Sequence, residues 1–190
     1  MVNSPFGQPR IANCIVWSTS RRLLMDALET IRNRRSIRRY QRNDVPDEKL
    51  MQVLEAGRWA PSAHNSQPRK FIVIKDEKTR KELARIAPYG SFLSEAPVAI
   101  AVVIDPSLSN HPVEDGAAAT QNMLLAAHAL GLGSCWIGSY GSGYENVAKR
   151  ILGIPADKRL LSLISLGYAA ASGGTSRIEL SKLVFYERYQ

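Results

Sequence analysis

The chain has 190 residues, of which 45% are hydrophobic and 22% charged, with 13 glycines and 10 prolines; that suits one globular domain and excludes a collagen, a low-complexity tail and a mostly disordered chain. Two cysteines, Cys14 and Cys135, are too few and too distant for a disulfide scaffold or a four-ligand zinc site, and the longest apolar run, Ala96–Ile104, falls well short of the roughly 20 residues of a membrane span. The net charge of +8 is high, and Arg32, Arg34, Arg35, Arg38, Arg39 and Arg42 crowd into one stretch that could read nucleic acid, hold a small phosphate or simply form a solvated face.

Residues 1–24 read as an N-terminal arm, with Pro5, Gly7 and Pro9 ahead of a short apolar patch, Ile11–Trp17. No A-x-A-like cleavage site follows the patch, so a signal peptide is not expected, and a cytoplasmic location is. Met25 opens a clean helical pattern and is a candidate start; residues 25–190 read as a single domain. Leu24, Leu28 and Ile31 fall at i, i+4, i+7, one face of a first helix. Pro46 precedes Asp47, an acidic N-cap candidate for a second helix whose inner face is Leu50, Val53, Leu54 and Gly57 and which ends by Pro61. Lys70–Lys75 is a predicted strand, and Glu77–Ala87 a charged surface helix whose Arg80 and Arg85 serve as reference charges. Pro97–Ile104 is a short, β-branched, buried strand. Glu114–Leu130 is a helix so rich in alanine that other backbones can approach it closely, either in the core or across a symmetry axis. Cys135–Gly138 and Leu160–Gly167 are further strands, Tyr144–Leu152 a helix, and Leu183–Tyr186 a possible last strand. Helices and four or five short strands interleave irregularly, which is an α+β pattern without internal repeats.

Hydrolytic machinery is absent from this pattern: there is no G-x-S-x-G elbow, and His64, His111 and His128 show no metal-ligand spacing. His128 reads as a satisfied core or interface residue, His111 as a loop residue, and Cys135 as a buried inert thiol. No Walker-type loop and no G-x-G-x-x-G fingerprint is present. No catalytic side chain and no metal set is therefore assigned. Three polar stretches remain. Arg34-Arg35-Ser36-Ile37-Arg38 combines guanidinium forks with a hydroxyl, a phosphate-binding chemistry. Pro61–Pro68 is a tight polar loop in which Asn65 and Gln67 each offer a donor and an acceptor, as needed to read a ring edge carrying N–H and C=O groups. Ser134–Gly138 ends a strand on a glycine that allows close backbone approach to a ligand.

Together, RRSIRRY at 34–40, PSAHNSQP at 61–68, AAHALGLGSCWIG at 126–138 and, more loosely, RIELSKLVFYER at 177–188 resemble the nitroreductase family of flavin enzymes, from about Met25 to Tyr189. The resemblance implies a central, mostly antiparallel sheet flanked by helices, in a homodimer with FMN at its interface. It implies that Arg34, Arg35, Ser36 and Arg38 hold the flavin phosphate and its surroundings. It implies that Pro61, Ser62, Ala63, Asn65 and Gln67 meet the ring from across the interface. Trp136, Ile137 and Gly138 would lay backbone groups beside N5, and Arg177 would complete the phosphate clamp. The implied activity is hydride transfer from NADH or NADPH through flavin N5 to a small acceptor (a nitroaromatic, quinone or enone), one substrate after the other in a single slot, with no nucleic-acid or membrane partner. Three departures stand out: Arg69 where an aromatic residue often follows Q-P, Thr175 where some members have a second phosphate-binding lysine, and only about ten residues between the buried strand and the alanine-rich helix, too few for a long lid. Two other readings remain open, a flavin carrier or sensor without turnover and a nucleic-acid-binding module built on the arginine run.

Overall fold

The computed structural model describes residues 27–171 and 173–189; the arm over 1–24, Met25 and Cys14 lie outside them. The elements in chain order are α1 (Ala27–Asn33), α2 (Asp47–Arg58), β1 (Arg69–Ile74), α3 (Glu77–Ile86), β2 (Val98–Ile104), α4 (Pro112–Ala129), β3 (Gly133–Gly138), α5 (Glu145–Ile151) and β4 (Arg159–Gly167). The four strands form one sheet in the order β1-β2-β4-β3, and every pairing in it is antiparallel.

Strand alternation sends side chains to two cores. Ile100, Val102, Ile104, Ile164 and Leu166 face α2 and α4, packing on Leu50, Val53, Met123 and Leu124. Ala99, Ala101, Val103, Cys135 and Leu163 face α3, α5 and the 3₁₀ turn at Ser91–Ser94, packing on Leu83, Phe92 and Leu93. β2 is buried along its whole length, which is why its sequence is a continuous apolar run rather than an alternation. A register shift at Val102/Val103 against β4 keeps both faces apolar across the irregularity.

α4 lies over the sheet, burying Gly116, Ala119, Thr120, Met123 and Ala127. A Cβ on Gly116 would stand 2.6 Å from side-chain atoms of Ile104 and Leu161, so the thin helix face expected from its composition is what lets it approach the strands. α4 ends at Ala129, and Gly131 just beyond it has a φ of +75°, a conformation that favours glycine.

Several expectations are corrected. Leu28 and Ile31 on α1 are 60% and 56% exposed, and Thr30 is the buried residue of that helix: a helical period identifies an apolar face but not what covers it. The N-cap of α2 is Pro46 with no capping side chain, and Asp47 is the first helical residue. Arg80 is buried, its guanidinium donating to the Ala96 and Ser94 carbonyls; it is a structural cation of α3 rather than a surface charge. Leu183–Tyr186 forms no strand. The regular turn nearby is a 3₁₀ turn at Leu180–Lys182, and residues 173–189 are exposed, with no strand among the described residues paired to them.

Between α1 and α2 the chain is stitched onto the sheet. Ser36 bridges Ser134 in parallel, and Tyr40 bridges Ala169. The Ile37 N–H donates to the Ser134 carbonyl at 2.9 Å. A Cβ at Gly133 would stand 2.9 Å from Ile37, so this close approach requires glycine. The buried Tyr40 hydroxyl donates to the Ile37 carbonyl at 2.6 Å and shares a 2.6 Å bond with Ser165 Oγ; burial pushes its pKa up. Tyr40→Phe would leave two buried acceptors or donors unmatched, at about 1–3 kcal/mol. The expected result is a lower urea midpoint with an unchanged m-value.

Candidate functional site

The arginine stretch lies where α1 hands over to the sheet. Arg34 and Arg35 are half-buried, while Ser36 and Arg38 are exposed. Arg35 turns back on the end of α1, donating to the Arg32 and Arg34 carbonyls at 2.6 and 2.9 Å. Arg38 extends the other way, its guanidinium 5.8 Å from the Phe92 ring centroid. None of the ion pairs among the described residues includes Arg34, Arg35 or Arg38, so no described carboxylate pairs with the cluster.

Arg38 opens into a cleft of about 510 Å³ that also takes in Phe92, Trp136, Ile137, Gly138 and Tyr144. Gly138 is exposed, with no atom within 4 Å of where a Cβ would stand; the end of β3 therefore presents bare backbone to the cleft. The Tyr144 hydroxyl bonds to the Gly138 carbonyl at 2.6 Å and to Ser139 Oγ at 2.8 Å, fixing the chain as it leaves β3. Cys135 is buried, and burial pushes its thiol pKa up, consistent with an inert thiol. A volume of this size accommodates a small-molecule ligand, and the lining combines aromatic and apolar surface, backbone groups and Arg38, which has no ion-pair partner among the described residues.

Behind the arginine stretch, α4 brings up His128. Among the described residues its Nε2 is buried without a hydrogen-bond partner, so it is not satisfied within the core of one chain, and the alternative expectation of an interface residue stands. Burial first, and then the positive field of Arg34 and Arg35, hold the imidazole below its usual pKa, so it is neutral at pH 7 and adds no charge to the cluster.

The Pro61–Pro68 loop has an unusual backbone. His64, Asn65 and Gln67 have φ of +52°, +55° and +50°, a region that L side chains occupy at a cost. Asn65 and Gln67 are exposed. The loop closes on itself through Asn65 N–H to the Ser62 carbonyl and Gln67 N–H to Ser62 Oγ, both at 3.0 Å. Ser66 Oγ is buried with no hydrogen-bond partner among the described residues. The strain at these three positions carries no glycine signature, so it was invisible in the sequence.

The structure brings Arg34, Arg35, Ser36, Arg38 and Trp136–Gly138 together along β3. It does not bring Pro61, Ser62, Ala63, Asn65 and Gln67 to them. That loop leads into β1, and β1 and β3 are the two outer strands, with β2 and β4 between. α4 measures the gap: its Asp115 accepts from Ala63 N–H at 2.9 Å, whereas its His128 feels Arg34, and the two are about 20 Å apart at 1.5 Å rise per residue. Arg177 is exposed in the C-terminal segment, where among the described residues it donates to Thr175 and Ser176. Two residues that sequence reasoning did not assign to the site emerge here, Tyr144 and Phe92; neither carries a motif signal, and only packing reveals them. Among the described residues, no helix is long and apolar enough to cross a membrane and no group of His, Cys, Asp or Glu could hold a metal ion.

Comparison with known proteins gives a consistent result. The Nitroreductase family model matches residues 31–89 and 85–168. A relative in Methanothermobacter thermautotrophicus, named as an NADH dehydrogenase/NAD(P)H nitroreductase, is 41% identical over 169 residues, covering 83% of this chain and 88% of that one. A Clostridium difficile structure described as an FMN-dependent nitroreductase superposes with a TM-score of 0.81 at 29% identity, covering 85% of this chain and 99% of that one. A Desulfovibrio desulfuricans nitroreductase structure, in complex with FMN, superposes with a TM-score of 0.76 at 39% identity, covering 86% and 98%.

Proposed function

The chain belongs to the nitroreductase family, and from that premise we propose that it is an FMN-dependent oxidoreductase using NADH or NADPH, with its flavin held between two copies of the chain. The observation that carries the reading is the cleft in which Arg38 meets the bare backbone of Trp136–Gly138. Its lining fits a flat polar ring system: aromatic and apolar walls, a glycine edge, and a cation, Arg38, without a carboxylate partner among the described residues.

Arg34, Ser36 and Arg177 supply donors for a phosphate, with Arg35 supporting them through its grip on the end of α1. Arg38 places fixed positive charge beside the cleft, where negative charge on a reduced ring would be stabilised. Trp136, Ile137 and Gly138 present main-chain groups at close range. Pro61, Ser62, Ala63, Asn65 and Gln67 come from the partner copy in this reading, because the two sheet edges of one chain cannot meet around one ring. The exposed apolar residues of α1 and the C-terminal segment, among them Leu28, Ile31, Leu180 and Phe185, support a second copy, since such surface is normally covered. The chemistry that FMN supplies when bound is acceptance of a hydride at N5 from NAD(P)H and its delivery to a small nitroaromatic, quinone or enone. A single open cleft used by donor and acceptor in turn entails ping-pong kinetics. A cytoplasmic location, where NAD(P)H is available, belongs to the same proposal.

The test is the visible spectrum of the purified protein, recorded anaerobically before and after NADH and then NADPH. A flavin band that bleaches is expected. A band that persists with both donors points to a carrier or sensor. A protein that stays colourless and takes up no FMN overturns the flavin reading and returns the arginine run to nucleic acid.

A further inference from the structure

The geometry points to Arg69 and Asp115 as positioning residues that hold the Pro61–Pro68 loop in its strained, ligand-facing form. The inference rests on the flavin reading above and adds to it two residues that touch no ligand.

Three non-glycine residues with positive φ within four positions do not persist by themselves. Each such conformation costs about 1 kcal/mol or more and survives only where the surroundings over-determine it. The internal bonds of the loop close it on itself but do not fix it to the body of the protein. Two buried charges do that. Arg69 is 7% exposed. Its guanidinium donates to the carbonyls of Arg58 at 2.8 Å, Ala60 at 2.5 Å and Pro61 at 3.4 Å, which are the end of α2 and the entry to the loop. Asp115 is 5% exposed, in the first turn of α4. One carboxylate oxygen accepts from the Ala63 N–H at 2.9 Å, and the other accepts from the Ser109 hydroxyl at 2.6 Å. The entry of the loop is thus pinned by a cation and its middle by an anion; burial pulls the Arg69 pKa below its ordinary value, and the charge of Asp115 offsets part of that. At the exit, the Asp105 N–H donates to the Pro68 carbonyl at 2.7 Å.

The chemistry of the pair argues for positioning rather than bulk stability. Buried charges are an inefficient way to stabilise a fold, since apolar packing of the same volume does as well or better. They are an efficient way to hold backbone at fixed points. Only arginine reaches three diverging carbonyls with one planar group; an aromatic residue at position 69 would pack there but could not bond to them. Asn65 and Gln67, left exposed on the held backbone, then face their ligand in one arrangement, so the ordering cost is met before binding.

A double-mutant cycle on FMN affinity, read by flavin fluorescence, tests this. Arg69→Met is expected to weaken FMN binding about tenfold to thirtyfold, the effect of losing a set of charge-assisted bonds. In an Asn65→Ala/Gln67→Ala background, the same change is expected to weaken binding less than twofold further, because the groups it positions are gone. Asp115→Ala should behave like Arg69→Met, and Asp115→Asn, which keeps an oxygen for the Ala63 N–H, should recover most of the loss. Should Arg69→Met fail to fold, the two Asp115 variants carry the same cycle. Equal losses in both backgrounds would show an ordinary structural role and overturn the positioning inference alone. An Asn65→Ala/Gln67→Ala chain that binds FMN as tightly as the wild type would overturn it too, by removing the loop from the site. A wild-type chain that takes up no FMN would overturn the flavin reading itself and this inference with it.

Discussion

Arg34→Ala combined with Arg38→Ala is expected to lower FMN affinity about a hundredfold while leaving the melting temperature of the flavin-free protein nearly unchanged. Charge-assisted bonds contribute about 1.5–3 kcal/mol each, and every 1.4 kcal/mol is about tenfold in affinity. Two such bonds lost, discounted for the solvent screening of exposed Arg38, leave about two orders of magnitude. Stability should be spared because neither side chain has a carboxylate partner among the described residues and neither supports the backbone bonds that tie Ile37 and Tyr40 to the sheet. The control must remove two positive charges elsewhere. Arg80 is unsuitable, since its guanidinium serves the Ala96 carbonyl from a buried position and its loss would destabilise the chain. Lys78→Ala with Arg85→Ala removes two exposed charges of α3 and should leave FMN affinity within twofold. Equal losses from both pairs would show that the arginine stretch acts only through net charge, and the assignment of a phosphate cradle would fall.

That choice of control illustrates what local sequence can and cannot disclose. Continuous apolar β-branched residues predict the buried β2, and alanine with Gly116 predicts a thin α4, because those signals depend on the chain's own geometry. Arg80 and Arg69 defeat the same reasoning. A long arginine can bury its stem and guanidinium when carbonyls converge on it, and which carbonyls converge is decided by segments far along the chain. Leu28 and Ile31 have the right period, yet both are exposed among the described residues, since periodicity is silent about what lies opposite. Leu183–Tyr186 has strand-like composition and, among the described residues, no strand to pair with.

The site divides in the same way. RRSIRRY and PSAHNSQP are legible as candidate ligand-binding stretches because their donors and acceptors are written in residue types. Their separation by two strands is not legible, because strand order depends on long-range pairing. The positive φ values at His64, Asn65 and Gln67 are also hidden, since no glycine marks them. It is the separation that makes the homodimer a requirement of the proposed site rather than an accompaniment to it.

Glu145→Ala is expected to destabilise the protein by about 2 kcal/mol at pH 7, and the difference from the wild type should vanish at low pH. Glu145 is 4% exposed and accepts four bonds: two from Arg159 at 2.7 Å, one from the Gly141 N–H at 2.8 Å and one from the Leu160 N–H at 3.2 Å. It thereby ties the chain just after the cleft-forming end of β3 to the start of β4, while Arg159 also lies 4.2 Å from the centroid of the Tyr140 ring. Breaking a buried pair typically costs more than 2 kcal/mol, but the Arg159 side chain is 36% exposed, so water recovers part of its charge. Burial alone would raise the Glu145 pKa; the bonds from Arg159 and from the two N–H groups outweigh it and hold the carboxyl below its ordinary value of 4.5. A depressed pKa in the folded state means that the unfolded chain binds more protons between the two values. The carboxylate's contribution is therefore complete above about pH 4.5 and is lost as pH falls through the folded value. Urea midpoints of the two proteins should differ by a constant amount from pH 7 to pH 5 and converge below pH 4.5. A gap that persists undiminished to pH 3 would mean that Glu145 acts by filling space, and that the loop beside the cleft is held by its backbone and by Tyr144 rather than by the ion pair.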